Sequence, residues 1–175
     1  MSVEKRLQRT TRREFEPGVA TGPYRGDRKA VLRLLNEALA TQIVCMLRYR
    51  RHHFMARRFA APRIAEEFLV HADEELTHAD LIAERIVQLD GEPDFAPDGL
   101  TKRSHAEYAA ATSVVEMVRE NLDAERTAIA SYRGLIEYLG VNDPPTRRML
   151  EGILAVEEAH GDELLDLLQG ETRAQ

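Results

Sequence analysis

Several residue types and segments are rare or absent in this sequence. It has one cysteine, Cys45, and no tryptophan. A single cysteine excludes internal disulfides, paired-cysteine zinc sites and cysteine-held iron–sulfur clusters. No apolar run approaches the roughly 20 residues that cross a bilayer, and the N-terminus lacks the apolar segment of a signal peptide. We therefore expect a cytoplasmic domain without a membrane partner.

Basic residues do not outnumber acidic residues in this sequence. The 175 residues contain 24 Lys and Arg against 30 Asp and Glu, a net charge of −6. Such a chain gives no general reason to expect nucleic-acid binding. With 43% hydrophobic and 31% charged residues, neither a disordered chain nor a fibre is expected. At this length one domain buries roughly 70% of its unfolded surface.

The chain divides into an arm, a helical domain and a tail. Residues 1–26 are polar and rich in turn-forming residues, which predicts a flexible N-terminal arm. Residues 27–170 carry helical patterning throughout, without a convincing strand pattern. Residues 171–175 are expected to be a disordered tail. The sequence therefore predicts an all-α domain.

Capping signals divide the helical domain into four long helices. The first should begin after Asp27 and the second at Pro62, while glycines at 91 and 140 should follow the second and third. Ser104 with Glu107 has the spacing of a capping box, so we expect the third helix to begin there. The fourth should run to about residue 168.

Each predicted helix carries an apolar seam spaced alternately by three and four residues, as in helix bundles. Polar residues interrupt these seams near mid-helix, and the hairpin register places the interruptions at one level of the bundle. Glutamate and histidine three residues apart project from the same helix face. The interrupting residues are Gln42, Glu75, His78, Glu125, Glu157 and His160.

Such a cluster needs a counter-ion, because ionised carboxylates in an apolar core are costly to desolvate. Basic residues are scarce in the seams, so a bound metal is the simplest explanation. Mixed carboxylate and imidazole ligands suit iron, manganese or zinc better than calcium. The alternative is a metal-free network of buried polar groups, with Gln42 as a hydrogen-bonded core amide.

The two Glu-x-x-His motifs and the seam positions 42 and 125 resemble the ferritin-like superfamily, in particular bacterioferritins and Dps-like bacterial proteins. Dinuclear carboxylate proteins of this class carry a glutamate on each of two helices and Glu-x-x-His on each of the others. The resemblance covers about residues 28–168. It implies an antiparallel four-helix bundle with one long crossover between the second and third helices.

By that resemblance, Glu75 and Glu157 would bridge two iron ions. Glu125 and His160 would complete one iron site, and Gln42 and His78 the other. The implied activity is a ferroxidase that oxidises Fe(II) with O2 or H2O2 for iron storage and detoxification. Tyr49, seven residues after position 42, would be a catalytic residue with Glu75 and Glu157; the alternative is a packed bundle tyrosine.

Three departures from the family pattern limit this interpretation. Gln42 stands where the family has glutamate, which predicts one weaker iron site and altered turnover. Leu76 stands where bacterioferritins carry their haem-ligating methionine, so no haem of that type is expected. Few residues follow His160, which favours a dodecamer or a dimer over a 24-mer with a fifth helix.

Two other functions remain open at this stage. One is a Dps-like structural or DNA-protecting shell protein with a degenerate metal site, in which the basic residues of the arm would contact phosphates. The other is a dinuclear oxidase of an organic substrate. Near the site, His71 is either an accessory iron ligand or a partly exposed histidine, and Glu74 and Glu158 are expected to face solvent.

Overall fold

The computed structural model describes residues 24–173, with side chains described to residue 170. Four long helices and one short helix make up the fold, and the described residues contain no strand, so the predicted all-α architecture is confirmed. The helices are α1 (Arg28–Arg58), α2 (Pro62–Gln88), α3 (Leu100–Arg103), α4 (Val114–Leu139) and α5 (Pro144–Arg173).

The long helices form two antiparallel hairpins, α1–α2 and α4–α5, each joined by a short turn. The hairpins pack together through contacts of α1 with α4 and of α2 with α5. The expected long crossover connects α2 to α4 and contains α3, which lies against α1.

Most predicted helix boundaries are confirmed. Asp27 caps α1, its Oδ1 accepting from the backbone N–H of Ala30 at 3.0 Å, and Pro62 occupies the first turn of α2. Gly140 follows α4 with a φ of 51°, a left-handed conformation that a side chain would disfavour.

The predicted start of the third long helix is wrong. Ser113 caps α4 in a full capping box with Glu116, whereas Ser104 ends α3. Both serines precede a glutamate by three residues, so the local spacing is the same. Tertiary contacts decide between them: the backbone N–H of His105 donates to Thr41 Oγ1 at 2.9 Å, which holds this stretch extended along α1.

The chain ends also differ from expectation in part. Helix α5 continues to Arg173 and so includes residues 171–173 of the expected disordered tail. Residues 174–175 and most of the arm, residues 1–23, lie outside the described residues. At the described end of the arm, Tyr24 Oη donates to Asp143 Oδ2 at 3.0 Å, beside the start of α5.

Two apolar clusters fill the bundle on either side of a polar layer. One contains Leu35, Ile82 and Leu150, and the other contains Phe68 and Leu164. The three-and-four spacing predicts seams of Val31, Leu35, Ala38, Gln42, Cys45, Tyr49 and His52 in α1 and of Ile64, Phe68, His71, Glu75, His78, Ile82 and Ile86 in α2, followed by Leu89, and all of these are buried. In the seam of α4, three residues are half-buried, namely Val115, Ile129 and Ile136. The six polar seam positions lie between the two clusters, near the middle of each helix.

By length and composition alone, helix α1 is long and apolar enough to cross a membrane. Half of its most apolar window is buried inside the bundle. The helix also carries Gln42 and Tyr49, which are fully buried against the other helices. These features are those of the core helix of a bundle.

Candidate metal centre

All six polar residues predicted from the seams are buried. Four are completely inaccessible, and the two histidines are at most 5% exposed. Each of α1, α2, α4 and α5 contributes to this layer, as the hairpin register predicts. One ligand atom from each of four residues lies within 4.8 Å of the others, namely Glu75, Glu125, Glu157 and His160.

His160 directs one ring nitrogen towards the carboxylates and the other outwards. Its Nδ1 lies 3.5 Å from Glu157 Oε2 and 4.0 Å from Glu125 Oε1. Its Nε2 contacts Glu74 Oε2 at 2.7 Å. The Glu74 side chain is 46% exposed, as expected for a solvent-facing residue, but it also contacts a member of the layer. A carboxylate on the outer nitrogen fixes the ring of a metal-binding histidine and increases its basicity.

His78 and Gln42 lie on the other side of Glu157. His78 Nδ1 is 3.1 Å from Glu157 Oε1 and 4.0 Å from Glu75 Oε2. The Gln42 side-chain amide donates to Glu157 Oε1 at 2.7 Å and also to Tyr132 Oη. The amide nitrogen of Gln42, rather than its oxygen, therefore faces the carboxylate.

Several buried atoms of this layer have no hydrogen-bond partner among the described residues. Buried polar atoms are nearly always paired, and an orphan costs about 1–3 kcal/mol. Here the unpaired atoms are clustered and are all potential metal donors, so they fit a site for cations such as iron, manganese or zinc. They are both oxygens of Glu75, Glu125 Oε2, Glu157 Oε2, Gln42 Oε1 and His160 Nδ1.

The acidic groups do not all ionise without a cation. Burial and the neighbouring Glu157 raise the pKa of Glu75 well above its usual value and that of Glu125 to about 8. Burial opposes ionisation of Glu157 too, but contacts with His160 and His78 lower its pKa. Burial disfavours the charged form of His160, yet Glu157 and Glu125 outweigh it and raise that pKa to about 9.

Tyr49 lies against the centre. Its hydroxyl donates to Glu125 Oε1 and its ring meets His71 edge-on at 5.2 Å. Burial, followed by the charge of Glu125, raises the pKa of Tyr49, so the hydroxyl keeps its proton. Tyr49 thereby orients one oxygen of Glu125 and leaves Oε2 unpaired.

Sequence reasoning missed a buried arginine beside the centre. Arg48 is 1% exposed, and its guanidinium donates to Asn121 Oδ1 at 2.9 Å and to the carbonyl of Glu107 at 2.8 Å. It also lies 3.6 Å from Cys45 Sγ. Its position one residue before Tyr49 puts it at the seam edge, where an arginine is usually solvated.

His71 is fully buried, so the expectation of a partly exposed side chain is wrong. Its ring stacks on His160 with centroids 4.0 Å apart. Its Nε2 lies 2.9 Å from Glu163 Oε2 and 3.7 Å from Glu67 Oε1. Burial and Glu163 raise the pKa of Glu67. Glu158, by contrast, is half exposed as expected and pairs with Arg133.

Comparison with known proteins identifies the family. Residues 32–174 match the model of the ferritin-like domain. Bacterioferritin from Mycobacterium avium is 33% identical over 139 residues, covering 77% of this chain and 80% of that protein. Bacterioferritin from Mycobacterium leprae is 30% identical over 135 residues, with the same coverage of 77% and 80%.

A solved structure agrees with the sequence comparisons. The dodecameric thioferritin of Bacteroides fragilis, a bacterioferritin-related protein, superposes with a TM-score of 0.79 at 30% identity. The superposition covers 86% of this chain and 90% of that chain. Together with the bundle and its buried carboxylate–histidine layer, these matches confirm the resemblance seen in the sequence: the chain belongs to the ferritin-like family.

Proposed function

We propose that this protein binds Fe(II) as substrate at a dinuclear site inside each subunit and oxidises it with O2 or H2O2, for iron storage and detoxification. The observation that carries the proposal is the group of unpaired donor atoms on Glu75, Glu125, Glu157 and His160. In a metal-free structural network the buried oxygens of Glu75 would be hydrogen-bonded. Bound Fe(II) supplies the electrons that reduce the oxidant.

The protein groups hold and orient the metal ligands. Glu75 and Glu157, with unpaired oxygens at the centre of the layer, are proposed to contact both ions. Glu125 and His160 serve one ion, and each is oriented by a neighbour, Tyr49 or Glu74. Their fixed geometry means that little side-chain ordering is needed when iron binds.

The second ion would be held by His78 and Gln42 and should bind more weakly. The amide of Gln42 is neutral and presents its nitrogen to Glu157. A rotation of this amide by half a turn would direct Oε1 towards an ion near His78. Tyr132 Oη tolerates the rotation, because a hydroxyl both donates and accepts.

We further propose that the protein is a cytoplasmic homo-oligomer, a dodecamer or a dimer. The related thioferritin of B. fragilis is dodecameric, which supports the larger assembly. Leu76 is 42% exposed and has no ligand atom for haem iron, in keeping with the proposal of no bacterioferritin-type haem. DNA binding by the arm depends on residues 1–23 and stays a prediction outside the described residues.

The proposed activity is tested by loading the oligomer with Fe(II) without oxygen and then admitting O2 or H2O2, while following ferric absorbance and particle mass. We expect rapid oxidation and retention of a ferric mineral. Glu157→Gln should lose most of this rate. The control Glu158→Gln changes the adjacent, half-exposed glutamate and should retain the rate. Retention of no more than two iron ions per chain without mineral would exclude storage.

Metal binding should release protons and strengthen as the pH rises. At pH 7 the pKa of about 8 leaves Glu125 largely protonated, and the pKa of about 9 leaves His160 largely charged; the pKa of Glu75 is raised in the same direction as that of Glu125. Metal ligands must be deprotonated, so affinity should increase as the pH rises from 7 through the pKa values of Glu125 and His160. Calorimetric titration with Zn(II) at pH 7, in two buffers of different ionisation enthalpy, measures the proton release. Binding without proton release would contradict the protonation states.

A further inference from the structure

A second group of metal-ligating side chains lies on the face between α2 and α5, outside the dinuclear centre. It consists of Glu67 and His71 on α2 and Glu163 on α5. One ligand atom from each residue lies within 4.8 Å of the other two. None of these residues belongs to the six that form the dinuclear centre.

The histidine of this group is held in place before any ion arrives. His71 is fully buried, stacked on His160 and bounded by the edge contact with Tyr49. Its Nε2 faces the two carboxylates at 2.9 and 3.7 Å. A fixed imidazole aimed at two carboxylates differs from a cluster of surface acids, whose side chains turn freely into water.

The two carboxylates are partly accessible, and His71 is their one basic partner among the described residues. The side chains of Glu67 and Glu163 are 37% and 52% exposed. In the described part of the chain, neither forms an ion pair with lysine or arginine. Two like charges near one imidazole repel each other, and a divalent cation would remove that repulsion.

We propose that Glu67, His71 and Glu163 form a mononuclear site for a divalent transition-metal ion. Two carboxylate oxygens and one imidazole nitrogen suit Fe(II), Co(II), Mn(II) or Zn(II), with water completing the coordination. Because its carboxylates reach solvent, this outer site exchanges ions with the medium more readily than the buried centre.

The outer site is also placed to deliver ions to the dinuclear centre. A ligand atom of His71 lies within 4.8 Å of ligand atoms of Glu125 and His160, so His71 connects the outer site to the dinuclear centre without being one of its six residues. Delivery rests on the proposed function, whereas binding at the outer site does not. The outer site would then hold Fe(II) immediately before it enters the buried layer.

Co(II) tests binding because it is redox-stable and has its own absorption edge. Anomalous diffraction from crystals grown with Co(II) should show a peak among Glu67, His71 and Glu163. Equilibrium dialysis at micromolar Co(II) should show that Glu67→Gln/Glu163→Gln binds one equivalent fewer than the wild type. The matched control is Glu66→Gln/Asp162→Asn, which changes exposed neighbours on the same helices and should lose nothing.

The outcomes separate the two proposals. Suppose that cobalt occupies the centre of the layer but not the outer site, and that the double variant loses no equivalent. This result overturns the outer site alone. No cobalt at the central carboxylates counts against the dinuclear function, whatever is seen at Glu67. For delivery, the double variant should raise the KM for Fe(II) oxidation several-fold at unchanged kcat; an unchanged KM overturns delivery.

Discussion

Replacing Glu75 by leucine should abolish metal binding at the dinuclear centre and stabilise the metal-free protein. Glu75 is completely buried, and neither carboxylate oxygen has a hydrogen-bond partner among the described residues. Burial also raises the pKa of Glu75, which favours the neutral carboxyl. An unpaired buried polar group costs about 1–3 kcal/mol, and an apolar side chain of similar volume removes that cost.

We expect the free energy of unfolding of Glu75→Leu in chelator to rise by about 1–3 kcal/mol. In saturating Zn(II), the wild type should instead be more stable than Glu75→Leu. In the Glu67→Gln/Glu163→Gln background, which removes the outer site, Zn(II) at 100 times its dissociation constant should stabilise the parent protein by about 2.7 kcal/mol and leave the Glu75→Leu variant unchanged. Urea denaturation measures the free energy of unfolding of both proteins, each with and without Zn(II).

Glu66→Leu is the control, since Glu66 lies on the same helix but is exposed. Its stability in chelator should change little, and its response to Zn(II) should match the wild type. Destabilisation by Glu75→Leu in chelator would mean that Glu75 supports the fold, as in a metal-free polar network. If Zn(II) stabilised Glu75→Leu as much as it stabilises the wild type, Glu75 would not be a metal ligand.

The bundle and its central layer were predictable because both follow from periodicity. The seam spacing placed Glu75 and His78 on one face of α2, and the hairpin lengths set them level with Glu157 and His160. Burial of all six polar positions confirms that register. A three-residue spacing and a turn position suffice for such a prediction, and neither depends on distant contacts.

What the sequence could not predict depends on contacts between distant segments. Ser104 and Ser113 have equivalent local signals, and the contact of His105 with Thr41 decides against the first. Likewise, Glu74 follows the helical rule for a solvent-facing residue but bends back to His160. Arg48 is buried because it reaches Asn121 and a loop carbonyl, neither of which helical periodicity locates.

Gln42→Glu should strengthen binding of the second metal ion at least tenfold. Three carboxylates carry one charge fewer than two divalent ions require for balance, and a fourth supplies it. The new carboxylate would also offer a harder ligand than an amide oxygen. A tenfold change corresponds to about 1.4 kcal/mol and is measurable by calorimetric titration with Zn(II).

The same substitution should destabilise the metal-free protein. The Gln42 amide now donates to Glu157 Oε1 and to Tyr132 Oη. A carboxylate at this position cannot donate to Glu157 unless it is protonated, and two ionised carboxylates would repel each other. We therefore expect a loss of about 1–3 kcal/mol of stability in chelator, with a steeper recovery as Zn(II) is added.

Gln42→Leu distinguishes a ligand from a hydrogen-bonded core amide. If Gln42 holds the second ion with His78, the leucine variant should bind one tight ion and lose the second. If Gln42 serves only to pair with Glu157, both ions should still bind in Gln42→Leu, and Gln42→Glu should bring no gain. Two equally tight sites in the wild type would likewise contradict a weakened second site, because a neutral amide cannot match the attraction of a carboxylate for a divalent cation at the same distance.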